Sequence, residues 1–212
     1  MNEFSKIGIA LAVILVSVIL HELMHGVVAY LLGDTTAKDE GRLSLNPFRH
    51  IDPVISILVP LAMVVMGGPV FGGAKPVPVD SRRLKGGPWG MALVAIAGPL
   101  TNFLLALIAF MIGHFTGGLY DHGVIGLIFT QCVYVNLGFF VFNILPLPPL
   151  DGSRVLYALA PDGARMVMEQ MERTFGVWII FFLIFVAGSA FSTLMAGATT
   201  GILRFFFMLV GA

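Results

Sequence analysis

Charged side chains are scarce in this sequence. Lysine, arginine, aspartate and glutamate make up only 11% of its 212 residues, whereas a soluble domain carries about a quarter. Hydrophobic residues account for 58% of the chain. This balance disfavours a soluble globular protein and is typical of a polytopic membrane protein with little mass outside the lipid bilayer.

The sequence also lacks a charge excess and has almost no cysteine. Its 12 basic residues balance 12 acidic ones, so there is no basic footprint for nucleic acid and we expect no nucleic-acid partner. Cys132 is the single cysteine, which excludes an internal disulfide and leaves the cellular compartment open. We find no internal repeat and no low-complexity linker, and we expect one domain over residues 1–212.

Long apolar runs, in contrast, are abundant. Four of them reach the length of about 20 residues that a helix needs to cross a bilayer. They predict an all-α polytopic membrane protein with about four crossing helices. The predicted helices lie near Ile7–Leu32, Trp89–His114, Val124–Leu145 and Val177–Ala196.

Two further apolar pieces are too short to be assigned in the same way. Ile51–Met66 has about 16 residues, fewer than a bilayer requires, and contains two prolines. We expect it to be a marginal or re-entrant fifth segment. Ile202–Val210 is interrupted by Arg204, whose long side chain can reach the membrane interface, and we expect Phe205 to Phe207 to face lipid.

The first apolar run contains an unexpected cluster of ionisable residues. His21-Glu22-Leu23-Met24-His25 lies inside Ile7–Leu32, which has no other charged residue. Ionisable groups in a membrane span are costly and usually functional. Histidines four residues apart share one helix face at a spacing that a zinc ion accepts, and the glutamate between them can act on a zinc-activated water. The motif predicts His21 and His25 as zinc ligands and Glu22 as general base and acid.

A third zinc ligand must come from a distant part of the chain. The best candidate is Asp151, which follows the third long run in Asn143-Ile-Leu-Pro-Leu-Pro-Pro-Leu-Asp-Gly152. If Asp151 meets His21, the first and third runs cross in the same direction, with one crossing between them, and Ile51–Met66 dips in and returns. The prolines before Asp151 predict an unwound backbone, which membrane proteins tolerate where it lines a wet cavity.

The distribution of basic residues agrees with this topology. With Ile51–Met66 re-entrant, only Lys6 and Arg204 of the 12 basic residues lie on the N-terminal side of the membrane. The positive-inside rule then places the N-terminus outside the cell and the zinc site near the cytoplasmic face of the cell membrane. An N-terminal tag should accordingly be accessible to external protease in intact cells.

Two segments between the membrane runs resemble short β-strands. Arg42-Leu-Ser-Leu45 alternates apolar and polar residues, and Lys75-Pro-Val-Pro-Val79 contains β-branched valine. We expect short β-strands near the active site, with an edge that pairs with an extended substrate. Leu43 and Val77 are the candidate substrate-binding residues of these strands.

Three motifs together resemble the site-2 protease family of intramembrane zinc metalloproteases. They are the histidine motif above, Ala97-Gly98-Pro99-Leu100-Thr101-Asn102, and Asn143-x-x-Pro146-x-x-x-Leu150-Asp151-Gly152. The segments from Gly41 to Pro47 and from Ala74 to Val79 resemble the compact prokaryotic branch of that family. The connection from Gly113 to Gly123 is too short for the PDZ domain of some relatives.

The resemblance implies a function and a set of roles. The function is hydrolysis of peptide bonds within or near transmembrane segments of membrane-protein substrates, in contact with the lipid bilayer. His21, His25 and Asp151 would bind one zinc ion per chain, and Glu22 would be the general base and acid. Asn143 would help to position or polarise the substrate carbonyl. The oligomeric state is left open.

Several alternatives remain at this stage. The chain could be a catalytically silent relative that binds membrane helices, although the intact Glu22 argues against this. It could be a membrane zinc-binding or transport protein, but its ionisable residues gather at one depth instead of along a path. Asn102 is a candidate substrate contact, or it hydrogen-bonds a neighbouring helix. Gly26, Gly98 and Gly138 are interpreted as close-packing sites.

Overall fold

The computed structural model describes residues 3–52 and 75–211, and these residues are helical with no β-strand. Within these ranges, 3₁₀ turns cover Pro47–Arg49 and Gly118–Tyr120, and a π-helical turn covers Phe182–Val186. The α-helices are α1 (Glu3–Leu31), α2 (Thr36–Asp39), α3 (Gly87–Phe115), α4 (Val124–Asn143), α5 (Gly152–Leu159), α6 (Asp162–Phe181) and α7 (Gly188–Leu209).

Four helices, α1, α3, α4 and α7, are long and apolar enough to cross a membrane. The first three match the predicted spans, so the polytopic helical class is confirmed. The fourth span was predicted at Val177–Ala196, but the helix breaks at the π-helical turn and Gly188, and α7 runs on to Leu209. The residues on both sides of this break are apolar, so the hydropathy of the sequence does not indicate where the helix ends. Most of Ile51–Met66 lies outside the described residues, and its re-entrant path stays a prediction.

Helices α1 and α3 pack antiparallel. His21 of α1 contacts Asn102 of α3, and His25, one turn further along α1, contacts Val94, about two turns earlier in α3. The carbonyl oxygen of Ser17, one turn before His21, accepts a hydrogen bond from Nδ2 of Asn102 at 3.5 Å. The C-terminal half of α1 therefore lies against the N-terminal half of α3.

Helices α3 and α4 are also antiparallel. The rings of Phe103 and Phe140 lie 5.2 Å apart between centroids, while Gly113, near the end of α3, packs against Phe129 near the start of α4. Consequently α1 and α4 run in the same direction. The last turns of α1 and the residues that follow α4 lie at the same end of the bundle.

Helix α7 closes the bundle through Phe206. This side chain is fully buried, and its ring centroid lies 5.5 Å from that of Phe103 and 5.4 Å from that of Phe110. The prediction that Phe205 to Phe207 all face lipid is therefore wrong. Consecutive helical residues point about 100° apart, so Phe206 faces the core while Phe205 stays 45% exposed.

The two segments predicted as β-strands lie next to each other but form no ladder. Nη2 of Arg42 donates to the carbonyl oxygens of Lys75 at 2.7 Å and Pro76 at 3.3 Å, acceptors that a partner strand would otherwise use. Pro76 and Pro78 have no N–H to donate in return. The strand prediction is therefore wrong for these described residues, because a side chain and prolines replace the backbone pairing.

Candidate metal centre

Helix α1 presents His21 and His25 on one face near its C-terminal end. Both side chains are buried, and their Nε2 atoms lie 3.0 Å apart. The rings are nearly perpendicular, with centroids 4.6 Å apart. The spacing of four residues produces this pairing, because side chains at i and i+4 are neighbours on a helix surface.

Helix α3 crosses these histidines at Gly98. A Cβ at this position would lie 2.5 Å from Nε2 of His25 and 2.6 Å from Nε2 of His21, closer than side-chain carbons approach other atoms. Gly98 is thus a close-packing site, as predicted, and the groups packed against it are the two imidazoles. Gly138 was given the same interpretation, but a Cβ there would meet nothing within 4 Å.

The connection after α4 carries Asp151 to the histidines. Helix α4 ends at Asn143, and residues 144–151 form turns with a cis peptide before Pro149. This confirms the unwound backbone that the prolines predicted. The connection folds back so closely that a Cβ at Gly152 would lie 2.1 Å from the carbonyl oxygen of Ile144.

The folded connection places the carboxylate of Asp151 against both imidazoles. Its Oδ2 lies 3.2 Å from Nε2 of His21 and 3.4 Å from Nε2 of His25. The Asp151 side chain is 23% exposed, more than either histidine. Residues that are 130 and 126 positions apart in sequence thus form one cluster at the end of the bundle.

The outer nitrogen of each histidine has a fixed partner. Nδ1 of His25 donates to the carbonyl oxygen of Val94 at 2.8 Å. Nδ1 of His21 lies 2.6 Å from Oδ1 of Asn102, whose amide nitrogen donates to Oδ1 of Asn136 at 2.9 Å. This network assigns the hydrogen to Nδ1 in both rings. With this hydrogen on Nδ1, the neutral form of each ring has a lone pair on Nε2.

In this neutral form the two Nε2 lone pairs and the carboxylate of Asp151 converge on one point. The two Nε2 atoms and the carboxylate oxygen of Asp151 are separated by 3.0 to 3.4 Å. Such a set could hold a metal ion. In tetrahedral zinc coordination, bonds of about 2.0–2.1 Å place ligand atoms about 3.3 Å apart. The donor types and their separations fit zinc, and three protein ligands leave a fourth position for chemistry.

Glu22 lies beside this cluster and has a backbone partner. Its Oε2 accepts a hydrogen bond from the N–H of Val77 at 2.9 Å. One turn later on α1, a Cβ at Gly26 would lie 2.5 Å from Cδ2 of Leu43 and 3.0 Å from Cγ1 of Val77. The structure therefore places both candidate substrate-binding residues on the face of α1 that carries Glu22.

The remaining predicted residues occupy different positions. Asn143 ends α4, and its amide nitrogen donates to the carbonyl oxygen of Phe139 at 3.0 Å, within the same helix. Asn102 is fully buried between α1 and α4, which favours the helix-contact alternative over a substrate contact.

Sequence reasoning missed Asn136. It is 97% buried, and it donates to the carbonyl oxygen of Cys132 at 2.8 Å while accepting from Asn102. A polar amide inside the apolar run of α4 was the signal that could have found it, because such residues in membrane helices usually have a partner.

This chain is similar to several named proteins, among them the following three. YwhC of Bacillus subtilis (strain 168), provisionally named a zinc metalloprotease, is 42% identical over 185 residues, which cover 82% of this chain and 78% of YwhC. Rip2 of Mycolicibacterium smegmatis, named in the same way, is 30% identical over 193 residues, covering 86% and 70%. MJ0611 of Methanocaldococcus jannaschii, also so named, is 42% identical over 66 residues, which cover only 30% of this chain and 31% of MJ0611. No family model and no solved structure matches the chain.

Proposed function

Because the chain belongs to the site-2 protease family of zinc metalloproteases, we propose that it hydrolyses peptide bonds within or near transmembrane segments of other membrane proteins. The observation that carries this proposal is the convergence of three possible metal-ligand atoms, from His21, His25 and Asp151, separated by 3.0 to 3.4 Å. The histidines lie on α1, a helix long and apolar enough to span a membrane. Hydrolysis would therefore take place below the membrane surface.

The roles of the residues follow from their chemistry. His21, His25 and Asp151 hold one zinc ion per chain. When bound, zinc supplies the Lewis acidity that activates water and polarises a carbonyl group. The carboxylate of Glu22 accepts a proton from the attacking water and gives it to the leaving amine nitrogen, so that the C–N bond breaks to a neutral amine.

Three further residues are proposed to act on the substrate. Asn143 donates its amide hydrogen to the substrate carbonyl, which requires exchange of its present bond to Phe139. Leu43 and Val77 line the path to Glu22, because both side chains pack on Gly26 one turn away. A helical substrate segment must unwind along this path before its peptide bond can be reached.

The proposed setting is a cell membrane, with the site near its cytoplasmic face and transmembrane proteins as substrates. The asymmetry of basic residues supports this orientation, since only Lys6 and Arg204 lie on the N-terminal side. Protection of an N-terminal tag from external protease in intact cells would reverse the orientation without affecting the proposed chemistry.

The function is tested by zinc content and by cleavage. We expect the detergent-purified protein to hold about one zinc ion per chain, and Asp151→Ala to lose it. Asp162→Ala is the matched control, because Asp162 is an exposed carboxylate at the start of α6. Parent and control should cleave a transmembrane model substrate in proteoliposomes, and a chelator should stop them.

Other results would favour the alternatives. Full zinc affinity in folded Asp151→Ala would remove Asp151 from the ligand set. Zinc without chelator-sensitive cleavage of any model substrate would favour a silent relative. Zinc uptake by the same proteoliposomes would favour a transporter.

Val77→Pro is expected to slow cleavage about 10- to 100-fold while zinc stays bound, because a hydrogen bond to a charged group contributes about 1.5–3 kcal/mol. Proline has no N–H for Oε2 of Glu22, and Pro76 and Pro78 already flank this position. Val77→Ala is the reference, since it keeps the N–H and also loses the valine side chain, so the ratio of its rate to that of Val77→Pro reports the hydrogen bond to Glu22. Both rates are measured on the same model substrate, and equal rates for Val77→Pro and the parent would show that Glu22 does not depend on this bond.

A further inference from the structure

We propose that Asn136 is a positioning residue that sets the metal-binding tautomer of His21 through Asn102. This inference rests on the proposed function, since it takes His21 to be a zinc ligand. Asn136 lies on α4, Asn102 on α3 and His21 on α1, so three helices contribute to one buried chain of hydrogen bonds.

The chain of bonds has a defined direction. Nδ2 of Asn136 donates to the carbonyl oxygen of Cys132 at 2.8 Å, so Oδ1 of Asn136 is the atom that faces Asn102. That oxygen accepts from Nδ2 of Asn102 at 2.9 Å, which turns Oδ1 of Asn102 toward Nδ1 of His21 at 2.6 Å. A carbonyl oxygen only accepts, so the hydrogen of the His21 ring must lie on Nδ1.

The direction matters because an asparagine amide can flip. With Asn136 replaced by an apolar residue, Asn102 loses its main acceptor, and its remaining one, the carbonyl oxygen of Ser17, lies 3.5 Å away. A flipped Asn102 would turn its NH₂ group toward Nδ1 of His21 and favour the tautomer with hydrogen on Nε2. That hydrogen would occupy the position from which the lone pair of His21 meets the metal.

Burial strengthens the effect. Asn102 is fully buried and Asn136 is 97% buried, so water cannot readily replace a missing partner at either amide. When the hydrogen-bond partner of a metal-bound histidine is removed, metal affinity typically falls 10- to 100-fold. The hydrogen bonds of the Asn136 side chain go to Asn102 and to the carbonyl oxygen of Cys132, so we expect its influence on His21 to pass through Asn102.

The test is zinc affinity of the full chain in detergent, measured by competition with a chromophoric chelator. Asn136→Leu and Asn102→Ala are each expected to weaken zinc binding about 10- to 100-fold. In the Asn102→Ala background, Asn136→Leu should cause no further loss, because the path to His21 is already cut. Asn136→Ala is the second variant if the leucine does not fold, and the same result is expected.

Val133→Ala is the matched control for a purely structural role. Val133 is buried on α4, one turn before Asn136, in the apolar core that α3 and α4 share. It should lower the unfolding temperature but leave zinc affinity unchanged. Parental zinc affinity in Asn136→Leu, or losses that multiply in the double variant, would overturn the inference alone. A folded parent that binds no zinc would overturn the proposed function and the inference together.

Discussion

Glu22→Gln is expected to reduce peptide hydrolysis by about 100- to 10,000-fold, the contribution of a positioned general base, while zinc content stays at the parental level. Glutamine has nearly the same shape as glutamate, and its side-chain oxygen can still accept the hydrogen bond from Val77 that the structure shows at 2.9 Å. It cannot accept a proton from water. The substitution therefore separates proton transfer from metal binding.

The measurement is single-turnover cleavage of a transmembrane model substrate, together with zinc content of the same preparation. Glu169→Gln is the matched control, because the carboxylate of Glu169 accepts from the hydroxyl of Tyr157 and lies on α6. The control should cleave at the parental rate. Glu22→Gln cleaving within a factor of a few of the parent would exclude Glu22 as the base and leave its role structural.

Gly98→Ala is expected to weaken zinc binding at least about 100-fold. Removing a single residue that orients a metal ligand typically lowers metal affinity 10- to 100-fold, and this substitution would displace His21 and His25 together. The added methyl group would lie 2.5 to 2.6 Å from the Nε2 atoms of His25 and His21. The methyl group is fixed to the backbone of α3, and the two buried rings already occupy the space beside it. The rings must therefore rotate away from Asp151, or α3 must move.

Gly138→Ala supplies the matched control for this second prediction. Both glycines lie inside helices, but a Cβ at Gly138 would have nothing within 4 Å. Alanine is about 1 kcal/mol more favourable than glycine in a helix, so Gly138→Ala should keep zinc and unfold at the same or a higher temperature. Zinc affinity is measured by chelator competition. Parental affinity in Gly98→Ala would mean that the histidines do not need this close approach.

The membrane-spanning helices could be predicted from the sequence where a single continuous apolar run forms the whole helix. The spans around His21, Gly98 and Asn136 are long apolar runs, and each of them forms one of α1, α3 and α4. The fourth span was misplaced because apolar residues continue across the break before Gly188. Phe206 was wrongly assigned to lipid because composition does not tell which face of a helix meets the core.

The two segments that lie next to Glu22 show the same limit. Alternating residues predicted strands at Arg42–Leu45 and Lys75–Val79, and the two segments do lie together. A strand, however, needs backbone groups that pair with each other. Here the Arg42 side chain takes two carbonyl groups, and Val77 donates its N–H to Glu22. Those contacts depend on long-range positions that the local pattern does not contain.

The proposed chemistry could be read from the amino-acid sequence alone: His21 and His25 share one helix face inside an apolar run, Glu22 lies between them in sequence, and Asp151 follows a proline-rich connection. These are local properties, because helical spacing and the cost of ionisable groups in a membrane act within one segment. The hydrogen-bond partners of these residues, in contrast, follow from how the helices pack together. The buried contacts of Asn136 join helices far apart in sequence, and spacing along the chain does not specify which distant side chains meet.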